Sequence, residues 1–190
     1  MNRGKLFVFA APSGSGKTTI VKSVLEKFPG FVFSVSATTR KRRDCEVDGR
    51  DYYFLTEDEF KRKIENNEFA EWERFYDYYY GSPKSFIDSH IEKGVSVLFD
   101  IDVKGALSIK EAYPDSVLFF IMPPSFEELK NRLIKRNTEN SEDLKKRIER
   151  AEMEMSYAVK KEFDYKVVND DLEKAKKTIE EIIRKEINKE

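Results

Sequence analysis

The residues with the clearest chemistry are Ala11-Pro12-Ser13-Gly14-Ser15-Gly16-Lys17-Thr18, followed by Thr19. They fit the phosphate-loop pattern GxxxxGK[ST] at every position except the first, where Ala11 replaces glycine. Glycines let successive backbone N–H groups turn inward around phosphate oxygens. The helix that such a loop opens adds the partial positive charge of its N-terminus. Lys17 would reach the β- and γ-phosphates of a nucleoside triphosphate, and the Thr18 hydroxyl would bind Mg²⁺. Gly14-Ser15-Gly16 alone would read as an ordinary strand-to-helix turn; Lys17-Thr18 directly after it makes nucleotide binding the better reading.

A second cluster is Arg40-Lys41-Arg42-Arg43, with Glu46 to Tyr52 close behind. Arginine presents a rigid fork that matches phosphate oxygens two at a time. Arg40 and Arg43, three apart and near a tyrosine hydroxyl, could hold a second phosphate group. A solvated basic loop or a nucleic-acid patch fits the same residues. Asp100 and Asp102 close an apolar run, where α/β sheets place their ligands. Asp102 would equally cap a helix starting near Val103. The one histidine, His90, lies in mid-helix and is given no catalytic role.

These residues need elements to position them. Leu6 to Ala10 is a continuous apolar run ahead of the loop, the pattern of a strand buried on both faces. Val95 to Phe99, Val117 to Met122 and Tyr165 to Val168 read as further buried strands. Between them lie helical patterns: Ile20, Val21, Val24, Leu25 and Phe28, stopped by Pro29-Gly30; 57–66 behind the capping box Thr56 to Glu59; from Ser82-Pro83, as N-cap and N1, to about Lys93; from Ser125 to about Arg136; from about Ser141 to Lys161; and a last helix after Asp170-Asp171. Strands alternating with helices predict an α/β fold with a mainly parallel sheet flanked by helices. Residues 34–81 break the rhythm. They hold most of the tyrosines and the one tryptophan, and read as a small mixed β/α insertion over the sheet edge.

Composition sets the bounds. The 190 residues suit a single domain with a real core. With 35 basic and 36 acidic residues the net charge is −1, which argues against a protein that mainly coats nucleic acid. No apolar run approaches bilayer-spanning length, so no membrane role is expected. A single cysteine, Cys45, forbids an internal disulfide and suits the cytoplasm. The oligomeric state stays open.

Seven segments then fall into register. Ala11–Thr19, Ser34–Arg40, Glu46–Tyr52, Glu71-Trp72, Tyr79-Tyr80-Gly81-Ser82, Asp100-Ile101-Asp102 and Val168-Asn169-Asp170-Asp171 occur in the order and spacing of guanylate kinases. The chain resembles that family, bacterial type, from its first strand to its last helix. The resemblance implies the nucleoside monophosphate kinase fold, divided into a core (about 1–33, 95–125 and 162–190), a GMP-binding lobe (about 34–94) and a helical lid (about 126–161). It implies that Arg40, Arg43, Tyr52 and Tyr80 bind the GMP phosphate, and that Ser36, Glu71 and Ser82 read guanine, with Gly81 beside them. Asp100 would lie near Mg²⁺, holding it through water, and near the substrate; Asp102 would lie near the acceptor base. Arg132, Arg136 and Arg147 would be lid arginines closing on ATP phosphates, though helical arginines at this spacing are as often solvated. Asn169 matches a residue that contacts adenine, and Asn169-Asp170-Asp171 would also cap the last helix. Where the family commonly has Pro, Gly and Gly, this chain has Arg42, Cys45 and Asn137. The bacterial type often carries alanine at the position of Ala11.

The expected activity is direct in-line transfer of a phosphoryl group from ATP, with Mg²⁺, to GMP and also dGMP. A regulatory GTPase is the first alternative, since Asp102 to Gly105 fits a loose DxxG pattern, but no NKxD guanine-reading motif follows. A non-catalytic binding module is the second, and the intact phosphate loop speaks against it. Another nucleoside monophosphate kinase is the third.

Overall fold

Leu6–Ala10 (β1) forms the middle of a five-stranded sheet in the computed structural model of the chain, which describes residues 3–75, 77–135, 141–160 and 163–189. Its neighbours are β2 (Val32–Phe33), β7 (Val97–Asp100), β8 (Val117–Met122) and β9 (Tyr165–Val168), in the order β2-β7-β1-β8-β9, every pair parallel. All five residues of β1 are buried, because successive side chains enter opposite cores. Phe7 and Phe9 pack with Ile20, Val24, Ile179 and Ile183 of helices α1 (Lys17–Lys27) and α7 (Leu172–Ile187). Leu6, Val8 and Ala10 pack with Ile87, Ile91, Ala106 and Ile109 of α3 (Lys84–Ile91) and α4 (Val103–Ala112). The expected parallel α/β architecture is therefore present, and its phosphate loop leaves β1 at the carboxyl end.

The tyrosine-rich insertion forms its own four-stranded sheet, in the order β4-β3-β6-β5, from β3 (Ala37–Thr38), β4 (Tyr53–Phe54), β5 (Phe69–Phe75) and β6 (Tyr78–Pro83). Strands β5 and β6 are antiparallel, which sets Glu71 opposite Ser82. Helix α2 (Glu57–Glu65) starts at the expected capping box: the Thr56 hydroxyl accepts from the Glu59 N–H, and the Glu59 carboxylate accepts from the Thr56 N–H. Helices α5 (Phe126–Lys135) and α6 (Ser141–Lys160) join through Leu129, Leu133 and Ala151. No helix among the described residues is long and apolar enough to cross a membrane.

One local expectation needs correction. Ser82 does not cap α3: Ser82 and Pro83 belong to β6, and the helix starts at Lys84. The Ser82 hydroxyl is instead taken by a buried carboxylate, a partner invisible to a local pattern. The cap expected from Asn169-Asp170-Asp171 is present: within that triplet Asp171 supplies it, accepting from the N–H groups of Glu173 and Lys174. Strand β2, only two residues long, carries too little periodicity to be read from sequence.

Candidate active site

The phosphate loop, the carboxyl end of β7, the second sheet and helix α6 enclose one cavity of about 680 Å³. Its wall includes Ala11 to Thr19, Ser36, Tyr52, Glu71, Tyr80, Asp100, Asp102 and Arg147 from the sequence-derived set. Residues more than a hundred positions apart thus face one space.

At one end is the loop. Gly14 and Gly16 have φ of 92° and 85°, the left-handed region that glycine reaches without strain. Asn67 is the one non-glycine in that region among the described residues, so Ala11 needs no such conformation. Its methyl group instead joins the core beneath the loop. Asn169 braces the loop from below: its side-chain amide donates to the Ser15 carbonyl at 2.8 Å, and it is itself buried. A Cβ on Gly16 would stand 2.5 Å from that amide nitrogen, a second reason for glycine there. Lys17 Nζ lies 2.5 Å from Asp100 Oδ1 and donates to the Ile101 carbonyl at 2.7 Å. The Thr18 hydroxyl reaches Asp100 Oδ2 at 3.4 Å. A hydroxyl beside a carboxylate is a hard-oxygen pair that suits Mg²⁺, which keeps several waters and takes its other ligands from phosphates. No group of three or more His, Cys, Asp or Glu among the described residues could form an all-protein metal cage.

At the other end is Glu71, 8% exposed, accepting from the fully buried Ser82 hydroxyl at 2.6 Å. Burial pushes its carboxyl up to about 7, and the Ser82 bond opposes this only in part. A Cβ on Gly105 would come within 3.0 Å of Glu71 Oε2, so glycine lets the first turn of α4 lie against the carboxylate. Glu73, two residues along β5, is also pushed up to about 7, first by burial and then by a hydrogen bond shared with Asp102. Burial alone would raise Asp102 too. The bonds from Glu73 and from the Gly105 N–H outweigh it and hold Asp102 below the usual carboxylate range. Asp102 therefore caps α4, as one of its two readings held, and still lines the cavity.

The arginine loop is organised by Glu46. Its Oε1 is 2.6 Å from the Arg40 guanidinium and its Oε2 accepts from the Arg43 N–H at 2.8 Å. Arg40 also stands 5.4 Å from the centroid of the Tyr52 ring, which meets Tyr80 edge-on at 6.1 Å. Arg40 reaches the cavity wall only through these rings, while Arg43 is exposed and away from it. Gly81 and Ser82 sit behind the wall. A Cβ on Gly81 would meet the Glu71 carbonyl at 3.0 Å, so its absence of a side chain is a packing need. Arg132 pairs with Glu128 at 2.9 Å and turns toward the Asn169 carbonyl, beside the loop. Arg136 lies outside the described residues.

Sequence reasoning missed Glu73, Phe75, Arg150 and Glu154, all of which line the cavity. The signals were there. Glu73 and Phe75 share the strand face of Glu71 by period two, and Arg150 shares the helix face of Arg147 by a spacing of three.

A sequence model of the guanylate kinase family matches residues 3–186. The guanylate kinase of Thermotoga maritima is 47% identical over 184 residues, 97% of this chain and 88% of that protein. The guanylate kinase of Chlorobaculum tepidum is 50% identical over 173 residues, 90% of this chain and 88% of that protein. The crystal structure of guanylate kinase from Anaplasma phagocytophilum superposes with a TM-score of 0.79 at 35% identity, covering 99% of this chain and 88% of that one. A nearly full-length match in sequence and in fold, converging on a chain whose phosphate loop and buried carboxylate share one cavity, makes this protein a member of the guanylate kinase family.

Proposed function

We propose that the protein transfers the γ-phosphoryl group of ATP to a phosphate oxygen of GMP, giving ADP and GDP, and that dGMP serves as well. The observation that carries this reading is the pairing, in one cavity, of a phosphate loop with a buried, acceptor-rich carboxylate. Guanine offers N1–H and the N2 amine side by side, and an ionised carboxylate accepts both. Adenine has no matching donors on that edge.

The assigned roles follow. The lobe (about 34–94) takes GMP: Ser36, Glu71 and Ser82 meet the base, with Gly81 and Asp102 beside it, and Arg40, Arg43, Tyr52 and Tyr80 meet its phosphate. The core loop, Ala11 to Thr19, takes the ATP phosphates, and Asn169 flanks the adenine side. Arg132 of α5 and Arg147 of α6, together with Arg136 of the same lid segment (about 126–161), serve the transferring group. Thr18, with Asp100 through water, would hold Mg²⁺, which supplies positive charge against the triphosphate oxygens. The new P–O bond forms to GMP as the bond from Pγ to the β-phosphate oxygen breaks, and ADP leaves. The GMP phosphate is already largely ionised near pH 7, so no general base is needed. Positioning and positive charge supply the catalysis. The lone exposed thiol, Cys45, fits a reducing cytoplasmic setting.

Coupled measurement of ADP formation with ATP and a panel of GMP, dGMP, AMP, CMP and UMP tests the reading. GMP-dependent turnover is expected. Turnover with AMP and none with GMP would overturn the guanine assignment.

The raised carboxyl of Glu71 adds a pH prediction. The carboxylate is the form that accepts guanine, so the protonated form must lose its proton on binding. Guanosine, which lacks the titrating phosphate, should bind up to about tenfold tighter per pH unit as pH rises toward about 7, then level off. Calorimetric titrations between pH 5.5 and 8 check this, and in Glu71→Gln the residual binding should be flat. A flat profile in the parent protein would remove Glu71 from the base contact.

A further inference from the structure

We propose that Arg150 is a positioning residue that latches the lid to both the lobe and the core, and so couples GMP binding to ATP binding. This rests on the ATP:GMP reading above. Arg150 lies on α6, and its Nε donates to Glu154 Oε1 at 2.7 Å, one turn further on. That bond aims the guanidinium. Its Cζ stands 3.9 Å from the centroid of the Phe75 ring, at the end of β5, close enough for cation–π attraction. One of its terminal nitrogens is 3.9 Å from Asp102 Oδ2, the cap of α4. A single side chain therefore touches the lid helix, the lobe strand that carries Glu71, and the core helix beside the base end of the cavity.

An exposed i,i+4 pair on a helix has little consequence by itself. Arg150 differs because two of its three partners come from other elements and because its side chain is only 27% exposed. Its planar group suits the Phe75 face and the two carboxylates at once, which a lysine would not match. Lys104 adds a weaker link from α4 to β5, with Nζ 3.3 Å from Glu73 Oε1. The expected consequence is directional. GMP, bound between the lobe and the core, would hold Phe75 and Asp102 in place as the seat that Arg150 occupies. Seating Arg150 holds α6, and with it Arg147, over the phosphate loop. GMP should then tighten binding at the ATP end, and by linkage ATP should tighten GMP equally.

The test is calorimetric titration of the full-length protein with Mg²⁺ and a non-hydrolysable imido analogue of ATP, with and without saturating GMP. In the parent protein GMP should strengthen analogue binding by roughly 5- to 150-fold, the usual range for coupled sites. In Arg150→Ala that factor should fall to within about twofold of one, while each ligand alone binds within about threefold of the parent. Arg150→Lys should lie between, since charge survives and the stack does not. Phe75→Leu removes the ring from the lobe side, should also lower the factor, and holds the test should Arg150→Ala misfold. A parent factor near one, or the parent factor persisting in Arg150→Ala and Phe75→Leu, overturns the latch. Turnover of ATP and GMP by the same preparation separates the two readings: turnover without coupling removes the latch alone, whereas no turnover removes the kinase reading beneath it.

Discussion

Lys17→Ala should lose about 100- to 1000-fold in kcat at saturating ATP and GMP, yet melt within a few degrees of the parent protein. The rate loss is the scale expected on removing one fixed positive donor from a developing phosphoryl charge, about 2.7–4 kcal/mol of transition-state stabilisation. The small stability change follows from where Lys17 sits. Its ammonium is paired with Asp100 at 2.5 Å, but both side chains keep 18% exposure, and pairs that water still reaches contribute little. The contacts with Asp100 and the Ile101 carbonyl are also replaceable. They hold the ammonium at the mouth of the loop, from which the far more negative triphosphate would draw it. Initial rates, a melting curve and the Kd of the ATP analogue check the three parts together. Full activity in Lys17→Ala would end the role assigned to this residue. A large fall in melting temperature would instead show that the pair with Asp100 is structural.

How much of this was legible in advance varied with the range of the interactions. The phosphate loop is local: its glycines, lysine and threonine are consecutive, and the backbone adopts the left-handed turns that Gly14 and Gly16 permit. The central strands were equally legible, because a strand covered on both faces must be apolar throughout, as Leu6 to Ala10 and Val117 to Met122 are; Tyr165 to Val168, also expected to be buried, forms the edge strand β9 and leaves Val168 exposed. The capping box at Thr56 and Glu59 spans only four residues and formed as expected. Long-range pairings were harder. Ser82-Pro83 carries a local helix-start signal, yet the Ser82 hydroxyl is committed to Glu71, eleven positions away and directly across an antiparallel pair. A pattern confined to one segment cannot see that partner. Asn169 and Ser15 are further still, 154 positions apart, and only the parallel order β1-β8-β9 brings the end of β9 beneath the loop. Arg150 was passed over for the same reason. On its own helix it is one more charged residue among many, and Phe75 and Asp102 give it a meaning that its neighbours in sequence do not.

Glu71→Gln should separate stability from function. Glutamine keeps the shape and can still accept the Ser82 hydroxyl through its carbonyl oxygen. Its amide nitrogen, however, would then face the donors of guanine, so one acceptor is lost and a donor–donor conflict replaces it. Leaving such a buried pair unsatisfied costs about 1–3 kcal/mol, and more when a charge was involved. A fall of about 100- to 1000-fold in kcat/KM for GMP is expected, with a much smaller change for AMP, so that discrimination between the two bases narrows. Stability should move the other way. The folded carboxyl titrates near 7 and the unfolded one near 4.5, so the folded state binds the extra proton between those values. Stability is therefore lost as pH rises through that window, by roughly 3 kcal/mol at most for a fully buried group. Glutamine carries no such charge. Glu71→Gln should then match the parent near pH 4.5 and exceed it in urea midpoint at pH 8, in the absence of nucleotide. Equal pH dependence in the two proteins would show that Glu71 is not the desolvated carboxylate its burial implies. A gain in stability joined to a loss of GMP turnover would identify it as a charge the fold carries at a cost for the sake of the base it reads.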